Sequence, residues 1–195
     1  MGFIEDGTGK GYSMKVGSDN RGQVRSVSES EVIHNAESGL AYNFNTGLIN
    51  ITGDATLMYL KNSSNNQLII TGIALGIFDG ITHSDDPYIT LIRNPTGGDL
   101  ITDATAIDMN QNRNFGSALS ADVNVYKGKV GGTITGGNDI AILQATSGGR
   151  SFYTIDFILP KGSSLGIKLN ANLSSGSANL YCALIAYFKD DQDIG

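Results

Sequence analysis

Few of the residues on which active sites and disulfide frameworks depend occur in this sequence. Its 195 residues contain no Trp, one Cys, three Pro and two His. The lone cysteine, Cys182, cannot form an internal disulfide, so nothing marks an oxidising compartment. Tracts of Ala, Glu, Lys and Leu are also rare, so long helices are not expected. Two histidines provide few candidates for a catalytic zinc site, which usually has three protein ligands.

The chain also lacks an obvious membrane span, a signal peptide and an excess of positive charge. Its longest apolar run, residues 67–78, is too short to cross a bilayer. The opening GFIEDGTGKG is polar and glycine-rich, unlike a signal peptide. The formal net charge is −6 at pH 7, which would repel a nucleic-acid backbone. These features predict a protein that folds in a cytoplasm and binds neither a membrane nor a nucleic acid.

Turn-forming residues and short apolar runs are what the sequence has in abundance. The 26 glycines are about twice the usual share of roughly 7%, and Asn, Ser, Thr and Asp fill much of the space between apolar runs. Residues 67–78, QLIITGIALGIF, predict a central strand, because two glycines and several β-branched residues disfavour a helix. A period of two predicts one bulky face, Ile69, Thr71, Ile73, Leu75 and Ile77, and one flat face, Gly72, Ala74 and Gly76.

Further strand candidates follow one another at short spacing. They are residues 41–51, 56–60, 87–93, 121–130, 153–159, 165–169 and 179–188. The last run is apolar on both faces, as is the central one, so both are expected to be interior strands whose outer face another subunit could cover. Residues 103–115 fit either a short helix or an irregular loop, and the glycine pairs of residues 131–149 predict a mobile surface excursion. This spacing predicts an all-β antiparallel β-sandwich, with a single jelly roll as the favoured form.

The N-terminal segment differs from the rest of the chain. It holds scattered apolar residues among Gly, Ser, Asp and Asn, and it cannot bury a core of its own. We therefore predict an extended N-terminal arm over residues 1–35, followed by a β-sandwich domain over residues 36–195. From composition alone the arm could embrace a neighbouring subunit or a large surface, or it could be a frayed terminus.

The polar clusters do not spell out a catalytic or cofactor site. The densest, residues 83–86 (His-Ser-Asp-Asp), could ligate a metal or share a proton, but a solvated turn is the favoured interpretation. The segment GTGKG at residues 7–11 lacks both the strand and the Ser or Thr of a phosphate loop. Cys182 lies in an apolar run without a neighbouring base, which predicts a buried, inert thiol. We predict no enzyme activity, no cofactor, no metal and no catalytic residues.

Two stretches resemble the head decoration (cement) proteins of tailed bacteriophages. They are FIEDGTGKGYSMKVGSDNRGQV, and AYNFNTGLINI followed by LMYLKN before a glycine-spaced apolar strand. The resemblance covers about the first 80 residues. It implies a jelly-roll body, usually trimeric, on the outer surface of the capsid, with an N-terminal arm lying on the major capsid protein.

The resulting hypothesis is a structural virion protein that stabilises a capsid by binding the major capsid protein through its arm. The arm offers five apolar anchors, which could fill grooves or add a strand to a sheet edge. Two arginines could pair with acidic capsid groups, and a homotrimer would add avidity. The predicted capsid-binding residues are Phe3, Ile4, Tyr12, Met14, Val16, Arg21 and Arg25. The alternative is a phage fibre, tail or carbohydrate-binding jelly-roll module.

Overall fold

The computed structural model describes residues 3–5, 13–15, 31–78, 82–83, 86–99, 105–106, 112–146 and 148–189. The chain divides into two compact units, Met1–Ser30 and Glu31–Gly195. In the first unit, β1 (Phe3–Glu5) and β2 (Ser13–Lys15) pair antiparallel. The second unit opens with a short helix, α1 (Glu31–Glu37), which spans the predicted domain boundary at residue 35.

The second unit is an all-antiparallel β-structure, as predicted. Its strands are β3 (Ala41–Asn45), β4 (Ile49–Ile51), β5 (Ala55–Asn62), β6 (Leu68–Phe78), β7 (Thr82–His83), β8 (Tyr88–Arg93), β9 (Gly97–Gly98), β10 (Thr105–Ala106), β11 (Val123–Lys127), β12 (Ile134–Thr135), β13 (Asn138–Gln144), β14 (Arg150–Leu159), β15 (Ser164–Asn170), β16 (Leu173–Ser175) and β17 (Ala178–Phe188). The first large sheet has the order β14-β6-β17-β3, with β4 also on β17, and the second has the order β10-β11-β5-β15-β8-β13. The helix α1 packs against β3 and β17.

The order of these strands is that of a single jelly roll. Strands β3 and β4 together form one strand of the jelly roll, because Thr46 between them both donates a hydrogen bond to β17 and accepts one from it. The Thr46 amide donates to the Cys182 carbonyl at 3.0 Å, and the Cys182 amide donates to Thr46 Oγ1 at 3.0 Å. The eight main strands then pair first with last (β3/β4 with β17), second with seventh (β5 with β15), third with sixth (β6 with β14) and fourth with fifth (β8 with β13). This nested pairing folds one long ribbon into two facing sheets, so the predicted jelly roll is confirmed.

The core between the two sheets follows the predicted strands, with one error of register. In β6 the buried side chains are Leu68, Ile70, Ile73, Leu75 and Ile77. Ile185 of β17 lies opposite Gly72, but the next residue, Ala186, lies opposite Ile70. Thr71 is therefore an extra residue, a β-bulge, and it reverses the inward face for the first part of the strand. The predicted placement of Ile69 and Thr71 with the bulky core face was wrong for this reason.

The segment between β8 and β13 is the long insertion of the jelly roll. Residues 103–115 are described only in part, and there they form β10 and a turn at residues 113–116 rather than a helix. The predicted surface excursion at residues 131–149 was wrong for its centre, because β13 is a strand of the second sheet that pairs with β8, with one register shift between Asp139 and Ala141. The glycine pair 136/137 makes the tight turn that precedes β13, with φ values of 68° and 81°.

Candidate functional site

The structure describes only part of the predicted capsid-binding arm. Phe3 and Ile4 lie in β1, and Met14 lies in β2. The backbone register places Ile4 opposite Met14, so two predicted anchors occupy paired positions of this short ladder. The other four, Tyr12, Val16, Arg21 and Arg25, lie outside the described residues.

The structure describes part of the predicted polar cluster at residues 83–86. His83 ends β7, which pairs with β16, while Ser84 and Asp85 lie outside the described residues. The Asp86 carboxylate accepts a hydrogen bond from Gln144 Nε2 at 2.6 Å, and the Asp86 backbone carbonyl accepts one from Asn172 Nδ2 at 3.0 Å. Among the described residues no three His, Cys, Asp or Glu side chains are grouped so that they could hold a metal ion. The segment GTGKG at residues 7–11 is not described either.

The thiol of Cys182 is buried at the centre of the first sheet. Complete burial raises its pKa from 9.0 to about 12, because the thiolate would be desolvated there. A thiol that remains protonated near neutral pH is a poor nucleophile. The described part of the chain also contains no helix with the length and apolarity needed to cross a membrane.

We define the outer face of the first sheet as the outward side chains of β3, β4, β17, β6 and β14. On this face aromatic rings from some strands lie over small residues of their neighbours. One row across it reads Asn45, Ala183, Ala74, Phe152. The Phe152 ring lies against Gly72, where an added Cβ would come within 2.8 Å of it. The face that the sequence predicted as flat is therefore partly filled by rings from neighbouring strands.

The other end of the outer face combines rings with amides. The Tyr181 ring covers Gly76, and its centroid is 5.8 Å from that of Phe78. Beside them, Asn50 Nδ2 donates to Asn179 Oδ1 at 3.2 Å. The charged outward residues on these strands, Arg150 and Asp156, both belong to β14. The rest of the outer face is uncharged.

The two lateral edges of the sandwich differ. At the edge formed by β3 and β5, the long insertion covers the core. Strand β11 pairs with β5, and Gly128 N donates to the Leu57 carbonyl at 2.9 Å. The backbone of Asn112 forms an isolated antiparallel β-bridge with Tyr42, and Asn112 Nδ2 donates a hydrogen bond to the Gly39 carbonyl at 2.6 Å. Burial raises the pKa of the Tyr42 hydroxyl, and the hydrogen bond with Asn112 offsets part of the rise. We call this the closed edge.

The opposite edge, formed by β13 and β14, we call the open edge. In the part of the chain that the structure describes, β13 and β14 each end their sheet without a further strand beyond them. Between them lies a groove of about 310 Å³. It is lined by Arg93, Asn94, Ile140, Asp156, Phe157, Ile158, Leu159, Pro160, Ser163 and Leu165. This edge was not predicted, because the glycine pairs around β13 indicated a surface excursion rather than a strand.

Comparisons with known proteins add distant similarities only. No protein-family model matches the chain, and no curated protein matches its sequence significantly. A solved chain titled cyanophage Pam1 capsid asymmetric unit is 15% identical with a TM-score of 0.30, over 86% of this chain and 94% of that one. A chain of infectious bursal disease virus, Gx strain, is 13% identical with a TM-score of 0.24, over 77% of this chain and 36% of that one. At these values neither similarity establishes a function.

Proposed function

We propose that this protein is a structural virion protein that decorates the outer surface of a bacteriophage capsid and stabilises it. The observation that carries this proposal is the combination of two independent features. The first 80 or so residues resemble head decoration proteins, and that resemblance calls for a jelly-roll body, which the strand pairing of the second unit provides. Residues Met1–Ser30 form a compact unit of their own, which we propose as the binding arm.

The arm is the segment proposed to bind the major capsid protein. Ordering a residue on binding costs about 1–2 kcal/mol, and burying a large apolar side chain contributes about 1.5–3 kcal/mol. The five apolar anchors, Phe3, Ile4, Tyr12, Met14 and Val16, can therefore offset the ordering of only a few residues each. The existing ladder of β1 and β2 reduces that cost, since it already fixes part of the backbone. Arg21 and Arg25 would add charge pairs with acidic capsid groups.

The test is cosedimentation with capsids that lack this protein. The full chain should bind saturably, and a chain without residues 1–27 should lose binding while its circular dichroism and thermal melt stay close to those of the full chain. The double variant Ile4→Ser with Met14→Ser should weaken binding at least tenfold, because it removes two anchors at about 1.5–3 kcal/mol each. Lys10→Ser serves as the control in the same segment. Undiminished binding by the shortened chain would disprove the role of the arm.

A carbohydrate-binding module is a second candidate, and the outer face of the first sheet favours it. Aromatic rings that lie over glycines, together with neighbouring amides, could stack on and hydrogen-bond a neutral sugar. A glycan array would detect such binding. It should then be lost on Phe152→Ser or Tyr181→Ser and retained by the chain without residues 1–27. An array without signal removes this candidate.

A further inference from the structure

A loop at the closed edge presents an aromatic side chain to solvent. We call residues 112–119 the Phe115 loop. Phe115 is 100% exposed, the highest value among the large apolar side chains that the structure describes, and Leu48 and Ile142 follow at 66%. Isolated exposed apolar residues are common on protein surfaces, so exposure alone identifies no site. The hydrogen bonds that hold the loop distinguish Phe115 from the other exposed residues.

The Phe115 loop is tied to the rest of the jelly roll. The Arg113 amide donates to the carbonyl of Ala41 in β3 at 2.8 Å. Asn114 Nδ2 donates to the carbonyl of Glu37, the last residue of α1, at 2.9 Å. The two residues that precede Phe115 are therefore fixed to a strand and to a helix of the second unit.

Hydrogen bonds inside the loop fix the backbone on both sides of Phe115. Asn112 Oδ1 accepts from the Asn114 amide at 2.8 Å, and Asn114 Oδ1 accepts from the Gly116 amide at 3.0 Å. The Ser117 amide donates to the Asn114 carbonyl at 2.9 Å. A side chain on a backbone that is already fixed loses less conformational entropy on binding. The loop thus presents Phe115 in a form suited to an anchor residue.

The remaining polar groups of the loop indicate the kind of partner. The side-chain amides of Asn112 and Asn114 bond within the chain through both oxygen and nitrogen, so they are committed to the loop rather than to sugar hydroxyls. Arg113 is exposed and forms no ion pair with another described residue. The net charge of −6 disfavours a nucleic acid. A protein surface with an apolar pocket and a carboxylate beside it would match both Phe115 and Arg113.

We propose that the Phe115 loop is a second attachment point to the capsid, in which Phe115 enters an apolar pocket of the major capsid protein and Arg113 pairs with a carboxylate beside that pocket. Aromatic and arginine side chains are typical of the few residues that dominate binding at interfaces. The inference rests on the proposed function and goes beyond it, because it assigns a capsid contact to the jelly roll as well as to the arm. Two contacts on one chain would reinforce each other.

Cosedimentation of the full chain with capsids that lack this protein tests the proposal. Phe115→Ser should raise the dissociation constant roughly tenfold or more, because it removes the anchoring ring. Leu48→Ser is the matched control, since Leu48 is also strongly exposed but lies between β3 and β4, away from Ala41, where the loop is bonded. It should bind as the wild type does. Both side chains are exposed, so both variants should keep the wild-type thermal melt.

Two further variants test the pocket and the ion pair separately. Phe115→Leu should keep most of the affinity, because an apolar pocket accepts leucine, whereas stacking on a sugar requires the ring. A loss as large as that of Phe115→Ser would overturn the assignment of an apolar pocket. Arg113→Gln should weaken binding and make it less sensitive to salt, whereas Arg150→Gln on β14 should do neither. Equal effects of the two arginine variants would overturn the assignment of the ion pair.

A photo-crosslinking phenylalanine analogue in place of Phe115 identifies the partner directly. On irradiation with capsids it should join the chain to the major capsid protein, whereas the same analogue in place of Leu48 should not. An adduct with a second copy of this chain, or no adduct, would overturn the proposal. A wild type that does not sediment with capsids would refute the proposed function and this inference together. Equal binding by Phe115→Ser and Leu48→Ser, with wild-type binding intact, would refute this inference alone.

Discussion

Replacing Asn62 by Ala should destabilise the jelly roll more than its position at the end of β5 suggests. The side chain joins the two sheets: Nδ2 donates to the buried Leu159 carbonyl at the end of β14 at 2.8 Å and to the Asn66 carbonyl at 2.9 Å. Its Oδ1 accepts from the Ser64 amide at 3.0 Å. Asn62 is fully buried, so water cannot replace these partners without a structural change.

The expected loss follows from these three bonds. Each contributes about 0.5–1.5 kcal/mol net, and a buried carbonyl deprived of its donor costs about 1–3 kcal/mol. The free energy of unfolding should therefore fall by about 2–4 kcal/mol, out of the roughly 5–15 kcal/mol typical of a domain. At about 2–4 °C per kcal/mol for a chain of this size, Tm should fall by roughly 5–15 °C.

Urea unfolding followed by circular dichroism measures this change. Asn62→Asp should be at least as damaging at pH 7, because a carboxylate oxygen would then face the carbonyl oxygens of Leu159 and Asn66. Asn65→Ala, at an exposed neighbour whose Oδ1 accepts a hydrogen bond from the Lys161 ammonium, should change stability by less than about 0.5 kcal/mol. A loss below about 1 kcal/mol for Asn62→Ala would refute the assignment of this side chain as a tie between the sheets.

Three further outcomes are expected. Burial raises the pKa of Cys182 from 9.0 to about 12, so the thiol loses its proton at a lower pH in the unfolded chain than in the folded one. The free energy of unfolding should therefore decline by about 1.4 kcal/mol per pH unit as pH rises from 9 towards 12. Cys182→Ala should remove this contribution to the slope, and the native thiol should not react with a thiol reagent at neutral pH. Gly128→Ala should cost more than about 2 kcal/mol, because its Cβ would strike the backbone of β5, whereas Gly53→Ala, with open space around it, should be tolerated. Thr46→Val removes the acceptor of the buried Cys182 amide and should lower the free energy of unfolding by about 1–3 kcal/mol, while Thr52→Val, at an exposed site, should leave it unchanged. Urea unfolding measures both the glycine pair and the threonine pair of variants.

The sequence predicted the sandwich because its strands alternate and its turns are marked. In β17 the period of two holds along the strand, and Leu180, Cys182, Leu184 and Phe188, which share one face, are buried. The same rule failed in β6, because the bulge at Thr71 arises from pairing with β17 and β14. Both faces of β6 carry apolar residues, and the single polar side chain of the strand, Thr71, fits a regular strand as well as a bulge.

The open edge was invisible for a related reason. Strand β13 is preceded by glycines and carries several exposed residues, so its pattern is that of a loop rather than of a half-buried strand. Only the nested pairing, with β13 on β8 and β14 on β6, places these two strands at one edge. The proposed capsid-binding role of the arm rests on a resemblance and not on residue chemistry, because scattered apolar residues also fit a frayed terminus.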